Sequence, residues 1–163
     1  MAKKYCFIST LLIFAFTFSS AVLAGGLTFG AKTGPMRIDA SGVSDDPNNA
    51  GVTVGTEMGL VLGDLGVEGE FTTTMKDGST SGGQDIDIDT MGIYATYRSP
   101  GFVYFKARAG FVRWDLNVGS YQEDDTVNSM GLGLGFSLGI VQLELEWTQI
   151  DEDIDFISLG VVF

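Results

Sequence analysis

The chain is predicted to be all-β: an eight-stranded antiparallel up-and-down transmembrane β-barrel. Three observations predict it. After the N-terminal leader, no apolar run is long enough for a membrane-spanning helix. The chain instead alternates apolar and polar residues with period two, in stretches of about ten residues. The links between those stretches switch between tight turns and longer polar loops, as in barrels that cross a membrane.

Residues 1–24 are expected to be a cleaved secretory signal peptide. Lys3 and Lys4 supply a positive start. Phe7 to Phe18 is apolar apart from Ser9, Thr10 and Thr17, and Val22-Leu23-Ala24 ends on a small residue, so cleavage is expected after Ala24. The apolar part is short for a membrane anchor. Export through the general secretory pathway follows from this pattern. The single cysteine, Cys6, leaves with the leader and precedes the apolar run, which is not where a lipoprotein cysteine sits. Residues 25–163 are then one barrel domain.

Eight strands are predicted at 27–39, 51–62, 67–75, 86–98, 102–114, 126–138, 141–150 and 154–163. Val141 to Trp147 is the clearest, with large apolar residues at odd positions and polar ones at even positions. Met130 to Leu138 repeats the pattern with glycine and serine on the second face. Tight links are expected at Gly63-Asp64-Leu65-Gly66, Ser99-Pro100-Gly101 and Gly139-Ile140. Long polar loops are expected at Ala40 to Ala50, Lys76 to Asp85 and Asp115 to Asp125, with a shorter acidic link at Asp151-Glu152-Asp153. An even strand count puts both termini at the short-turn, periplasmic end.

Alternation alone does not say which face is inside. A lipocalin-like carrier points its apolar face inward; a membrane barrel points it to lipid. The polar face here carries both charge signs: Lys32, Glu57, Glu68, Glu70, Arg98, Lys106, Arg108, Glu144 and Glu146. An eight-stranded interior is narrow enough to be filled by side chains. Gly131, Gly133 and Gly135 are expected to leave room there for Lys106 and Arg108. On a solvated face, that glycine row would weaken the strand for no packing reason. The apolar face carries aromatics near both strand ends: Trp147 and Phe111 toward the loops, Phe29, Tyr97 and Phe163 toward the turns. Such rings suit the two membrane interfaces.

Ile157, Leu159, Val161 and Phe163 form an alternating apolar series ending in an aromatic. This resembles the C-terminal assembly signal of bacterial outer-membrane barrels. Gly30-Ala31-Lys32-Thr33-Gly34 resembles the first strand of the outer membrane protein A-like and opacity-type barrel domains. The resemblance covers residues 25–163 in layout. It implies an integral protein of the outer membrane, inserted by the barrel-assembly machinery, with lipid bilayer and lipopolysaccharide around it. No peptidoglycan-binding domain is expected to follow the barrel.

Charge and composition exclude several functions. Taking Lys3 and Lys4 from nine basic residues leaves seven against twenty-one acidic ones, so the net charge goes from −12 to −14. No nucleic-acid partner is expected, because phosphate binding needs clustered Lys and Arg. The chain has no histidine, so a Ser–His catalytic pair is impossible. Asp85-Ile86-Asp87-Ile88-Asp89 begins like a calcium loop. It fails as one, with Thr90 where glycine is required and Thr96 where the final glutamate belongs. No metal site, cofactor or catalytic residue is assigned. The sharpest constellation is Lys106 and Arg108 facing Glu144 and Glu146 across a glycine-lined strand. Buried charges of this kind must pair. The expectation is a non-enzymatic barrel with a packed polar interior and a structural or surface-interaction role. The alternatives are a narrow passive channel for ions or small solutes and, more remotely, a periplasmic lipocalin-like carrier. The sequence names no surface partner.

Overall fold

A barrel needs every strand edge paired, and the computed structural model, which describes residues 26–163, meets that condition with eight long strands. The expected leader and its cleavage point after Ala24 lie outside the described residues. The strands in chain order are β1 (Gly26–Ile38), β2 (Val43–Asp45), β3 (Asn48–Leu60), β4 (Gly63–Lys76), β5 (Gly78–Thr80), β6 (Asp85–Arg98), β7 (Val103–Val118), β8 (Tyr121–Leu138), β9 (Val141–Asp151) and β10 (Ile154–Val162). The eight long ones run antiparallel, each beside its neighbour in the chain. β1 pairs with β10 from Gly30↔Val162 to Ile38↔Ile154 and closes the ring. At the turn end Phe29 and Phe163 exchange both backbone hydrogen bonds, at 3.0 and 2.8 Å. The two short strands lie in the first two loops, where β2 pairs with β5 and β5 with β6.

Two expected links differ. The first tight turn is Val61-Leu62, not Gly63 to Gly66, and β4 starts at Gly63 rather than at residue 67. Leu60 pairs with Gly63 across a two-residue turn, and Gly63 takes φ 135°. That backbone need, not polarity, places the turn. Asp64 and Gly66 are ordinary ladder residues opposite Arg98 and Thr96. The expected loop at 115–125 is also strand. β7 and β8 stay paired up to Val118↔Tyr121, and Gly119, at φ 58°, makes the turn with Ser120. Cross-strand contacts hold this tip: Arg113 Nη2 to Asp124 Oδ2 at 2.8 Å, and Gln122 Nε2 to Asp115 Oδ1 at 3.0 Å.

The strands change polarity along their length, which locates the apolar solvent. On β6 the inward residues Arg98, Thr96 and Tyr94 give way to Ile88 and Ile86 toward the loops. The outward residues change the opposite way, from Tyr97, Ala95, Ile93 and Met91 to Asp89, Asp87 and Asp85. On β7, Phe105 and Phe111 face out until Arg113 and Asp115 replace them, while Val112 and Trp114 turn in. Apolar-out, polar-in is the pattern of a wall in lipid; apolar-in, polar-out is that of a wall in water. The switch comes after Met91 on β6, after Phe111 on β7 and after Ile157 on β10. The loop-side interior is accordingly apolar: Met36, Ile88, Val112, Trp114, Ile150, Ile154 and Phe156 form one buried cluster, with Leu116 and Val127 against it. The expected packed polar interior is therefore restricted to the turn-side part. The charged lumen ends beneath an apolar plug.

Candidate functional site: the charged lumen

Strand alternation brings every charge of the polar face into one space. β1 supplies Lys32, β3 Glu57, β4 Glu68 and Glu70, β6 Arg98, β7 Lys106 and Arg108, and β9 Glu144 and Glu146. All are buried except Glu57, which is partly covered at the turn end. The facing is sharp on β9: Glu144 is 5% exposed and its neighbour Leu145 is 56% exposed.

The nine residues form one connected set. Lys32 donates to Glu146 at 2.8 Å and also meets Glu70. Arg98 binds Glu57, and its Nε donates to Glu144 at 2.8 Å. Lys106 Nζ lies 3.1 Å from Glu68, 2.9 Å from Glu144 and 3.1 Å from Glu146. Arg108 lies 3.1 Å from Glu68 and 3.0 Å from Glu146, and grips Glu70 with both terminal nitrogens. Lys106 therefore meets both expected carboxylates. Arg108 meets Glu146 but makes no ion pair with Glu144, whose place is taken by the two glutamates of β4. The constellation thus spans the whole lumen, beyond the two facing pairs of β7 and β9.

Several participants were not singled out by the sequence. Tyr104 donates its hydroxyl to Glu144 at 2.8 Å and lies 3.0 Å from Gln142. Arg108 donates to Thr148 at 2.7 Å, and its guanidinium stacks 4.0 Å over the Tyr94 ring. Strand parity could have found both tyrosines. Tyr104 is in phase with Lys106 and Arg108, and Tyr94 with Arg98.

The glycine row does the expected job at one position and another job at a second. A Cβ on Gly131 would come within 3.0 Å of Arg108 Nε, so that glycine does make room for Arg108. A Cβ on Gly135 would overlap the Tyr104 ring, so Gly135 makes room for an aromatic. Gly133 has the Leu145 carbonyl and Glu146 as its nearest neighbours.

The space left among these groups is small. Between Lys32, Lys106, Glu144 and Glu146 a cavity of about 10 Å³ is left, at the lower limit for one water molecule. Arg98 Nη2, Arg108 Nε and Glu146 Oε2 have no hydrogen-bond partner, although Glu146 Oε2 still sits in the field of Lys106. The arrangement can neutralise charge and fill volume.

The other candidate residues lie on surfaces. Ile157, Leu159, Val161 and Phe163 form an outward row on the closing strand, with Leu159 and Phe163 the most exposed of the four. The aspartates of residues 85–89 point outward around inward isoleucines, and Asp87 accepts a hydrogen bond from Asn117 at 3.0 Å. Among the described residues no three carboxylates gather closely enough to hold a metal ion. The charge distribution is polar along the barrel axis. Of twenty-one acidic residues, five line the lumen and Asp64 lies at the turn end. The other fifteen are at the loop end, opposed there only by Arg37, Lys76 and Arg113.

A closed eight-stranded barrel with an apolar outer belt and a charged, filled lumen is an integral membrane barrel of the outer-membrane class. The chain belongs to the outer membrane protein beta-barrel domain family, whose profile matches residues 9–162. It resembles Ail, the attachment invasion locus protein of Yersinia pestis, seen in complex with the heparin analogue sucrose octasulfate. The identity is 17% and the TM-score 0.55, over 85% of this chain and 97% of Ail. The N-terminal β-barrel domain of Pseudomonas aeruginosa OprF aligns with 15% identity and a TM-score of 0.55, over 85% of this chain and 98% of that one. The outer membrane enzyme PagL aligns with 13% identity and a TM-score of 0.52, over 83% and 98%. These likenesses are of fold. No curated protein matches the sequence. The protein is integral to the outer membrane.

Proposed function

We propose that the protein is a non-conducting, non-enzymatic barrel with a structural or surface-interaction role at the outer membrane. One observation carries this reading: the nine-residue charge network crosses the lumen, with a cavity of about 10 Å³ among its members, and is capped by an apolar plug. A passive channel needs a continuous wet path, and the buried pairs occupy it. Enzymes with this fold exist, PagL among them. In this chain the absence of histidine removes a Ser–His pair, and the lumen carboxylates are sealed from any large substrate. The interaction face is the loop end, where the β7–β8 hairpin projects and the net charge is strongly negative. Its electrostatics favour cationic partners over a polyanion of the kind Ail holds. Secretory export by residues 1–24, insertion guided by Ile157, Leu159, Val161 and Phe163, and lipopolysaccharide around the loop end belong to the same reading.

Planar-bilayer recording of the refolded barrel tests it. The expected outcome is a quiet bilayer at concentrations where a porin gives steps. Reproducible unitary steps from the unaltered protein would favour the narrow-channel reading instead.

A further inference from the structure

The links at the turn end are apolar where water would select polar residues. Two-residue hairpin turns usually carry Asn-Gly or Asp-Gly. Here the β3–β4 turn is Val61-Leu62 and the β8–β9 turn is Gly139-Ile140. Val61, Ile140 and Leu62, at 97%, 86% and 78%, are the three most exposed large apolar side chains among the described residues. Phe102, beside the β6–β7 link, is also exposed. The charged side chains near these tips turn inward. Glu57 binds Arg98 in the lumen, and Asp64 shares the inward parity of Glu68 and Glu70 on β4.

The height of the lipid belt identifies what covers them. On β6 the outward apolar row runs from Tyr97 to Met91, and on β10 from Phe163 to Ile157, before Asp89 and Asp155 end it. At about 3.3 Å per residue and a tilt of about 40°, each row rises only about 15 Å along the barrel axis. The longer rows, Val103 to Phe111 on β7 and Leu138 to Met130 on β8, reach about 20 Å on the same geometry. The apolar band of a membrane barrel is usually about 25 Å tall. Charge closes the belt on the loop side, at Asp89, Arg113 and Asp155, so the missing height must come from the turn side. The links supply it: Leu62 to Phe71 rises about 23 Å and Ile140 to Met130 about 25 Å. A link in lipid must also satisfy its own polar backbone, because no water is there to do it. Tyr97 donates its hydroxyl to the Leu62 carbonyl at 2.7 Å. Ser99 N donates to Phe105 O at 2.9 Å, and Phe105 N donates to Ser99 Oγ at 2.9 Å. Ser137 N donates to Phe102 O at 2.8 Å. We propose that the turn end is a lipid-docking surface. Val61, Leu62 and Ile140 enter the acyl–headgroup boundary of the leaflet on that side, the periplasmic one in the expected orientation, instead of projecting into water. Lipid is favoured over a soluble partner or a stacked second copy because the surface is continuous with the belt and completes its height.

Depth labelling of the barrel refolded into phosphatidylcholine vesicles tests it. Residues 25–163 contain no cysteine, so Val61→Cys, Ile140→Cys and, at the loop-end tip, Ser120→Cys can each carry one nitrobenzoxadiazole label. Labels at 61 and 140 are expected to emit to the blue of the label at 120. They should also lose emission when the lipid is brominated near the headgroup end of its acyl chains, while the label at 120 is quenched by aqueous iodide. A second measurement needs no label. Val61→Asn with Leu62→Gly installs a favoured hairpin turn, which in water should leave the barrel as stable as the parent or more so. In lipid the same change removes apolar surface from the belt. The urea midpoint of this double variant is expected below the parent's in vesicles of fourteen-carbon chains. In ten-carbon chains, where the strand rows alone match the thinner hydrocarbon, it should equal or exceed the parent's. Heat-modifiable gel migration verifies that each variant is folded, and if the double variant does not fold the labels decide alone. Water-like emission with iodide quenching at 61 or at 140 overturns the proposal and hands these tips to a soluble partner. A midpoint shift of equal size in both lipids, or none in the thicker one, overturns it as well.

Discussion

Arg108 shows what the lumen asks of a single side chain. It is surrounded by Glu68, Glu70, Glu146, Thr148 and the face of Tyr94, and its guanidinium is out of reach of solvent. Its planar fork matches a carboxylate in a way that a lysine would not. Removing one member of such a buried pair leaves the other charge without compensation, typically at a cost of about 3–5 kcal/mol. Removing both members leaves no orphan between them. Arg108→Met and Glu70→Gln are therefore expected to be non-additive, with a coupling of about 0.5–3 kcal/mol, measured by urea unfolding of the refolded barrel in vesicles. Simple additivity would mean that the two residues answer to other partners. Arg108 with Glu144, the cycle that facing strands would suggest, should couple less, because they are joined only indirectly, through Lys106 and its other carboxylates. Strand parity was enough to place all nine charges on the polar face. It could not say who touches whom, because that depends on barrel stagger and on side-chain length. Glu68 and Glu70 reach Arg108 from β4, two strands away around the wall.

At the scale of elements, legibility followed the solvent. β9 reads well because its bilayer part has lipid on one side and charge on the other. The tip of β7 and β8 reads as a loop because water bathes both faces, so alternation disappears there although the ladder continues to Val118↔Tyr121. Residues 85–89 looked like a failed calcium loop. They are a strand whose polarity has flipped above the membrane, with Ile86 and Ile88 inside. The apolar plug was missed for the same reason: an apolar face was equated with lipid along the full strand. β7 and β8 also make a prediction of their own. Gly135 faces Tyr104, and any side chain at 135 meets that ring. Gly135→Val should lower stability by about 1–3 kcal/mol, the usual cost of overpacking. Tyr104→Ala in the same chain should return part of the loss by vacating the space. A Gly135→Val barrel that unfolds at the parent's urea midpoint would show that the strand pair shifts freely. Failure of the second substitution to rescue would place the damage in the backbone.

The whole molecule separates its charge and closes on itself at one seam. Four cations and five carboxylates nearly cancel inside, while the loop end carries almost all of the net charge. Such a surface favours solubility of the chain before insertion and repels copies of itself. It contributes nothing to closure, which depends on β1 meeting β10. Phe163 stands at that seam in two capacities. Its backbone exchanges two hydrogen bonds with Phe29, and its ring is 61% exposed on the outer face at the turn end. Deleting the residue removes both, so a deletion alone cannot say whether the ring is an assembly signal or the backbone a clasp. Phe163→Ala keeps the clasp and removes only the ring. If the ring serves recognition by the insertion machinery, Phe163→Ala should refold into vesicles almost as well as the parent. In cells it should reach the outer membrane poorly and accumulate in the periplasm. Deletion of Phe163 should fail in both settings, since two seam bonds worth about 0.5–1.5 kcal/mol each go with it. Equal loss for Phe163→Ala in vesicles and in cells would make the ring an interfacial anchor rather than a signal. Normal cellular insertion of Phe163→Ala would remove the aromatic terminus from the assembly proposal and leave recognition to Ile157, Leu159 and Val161.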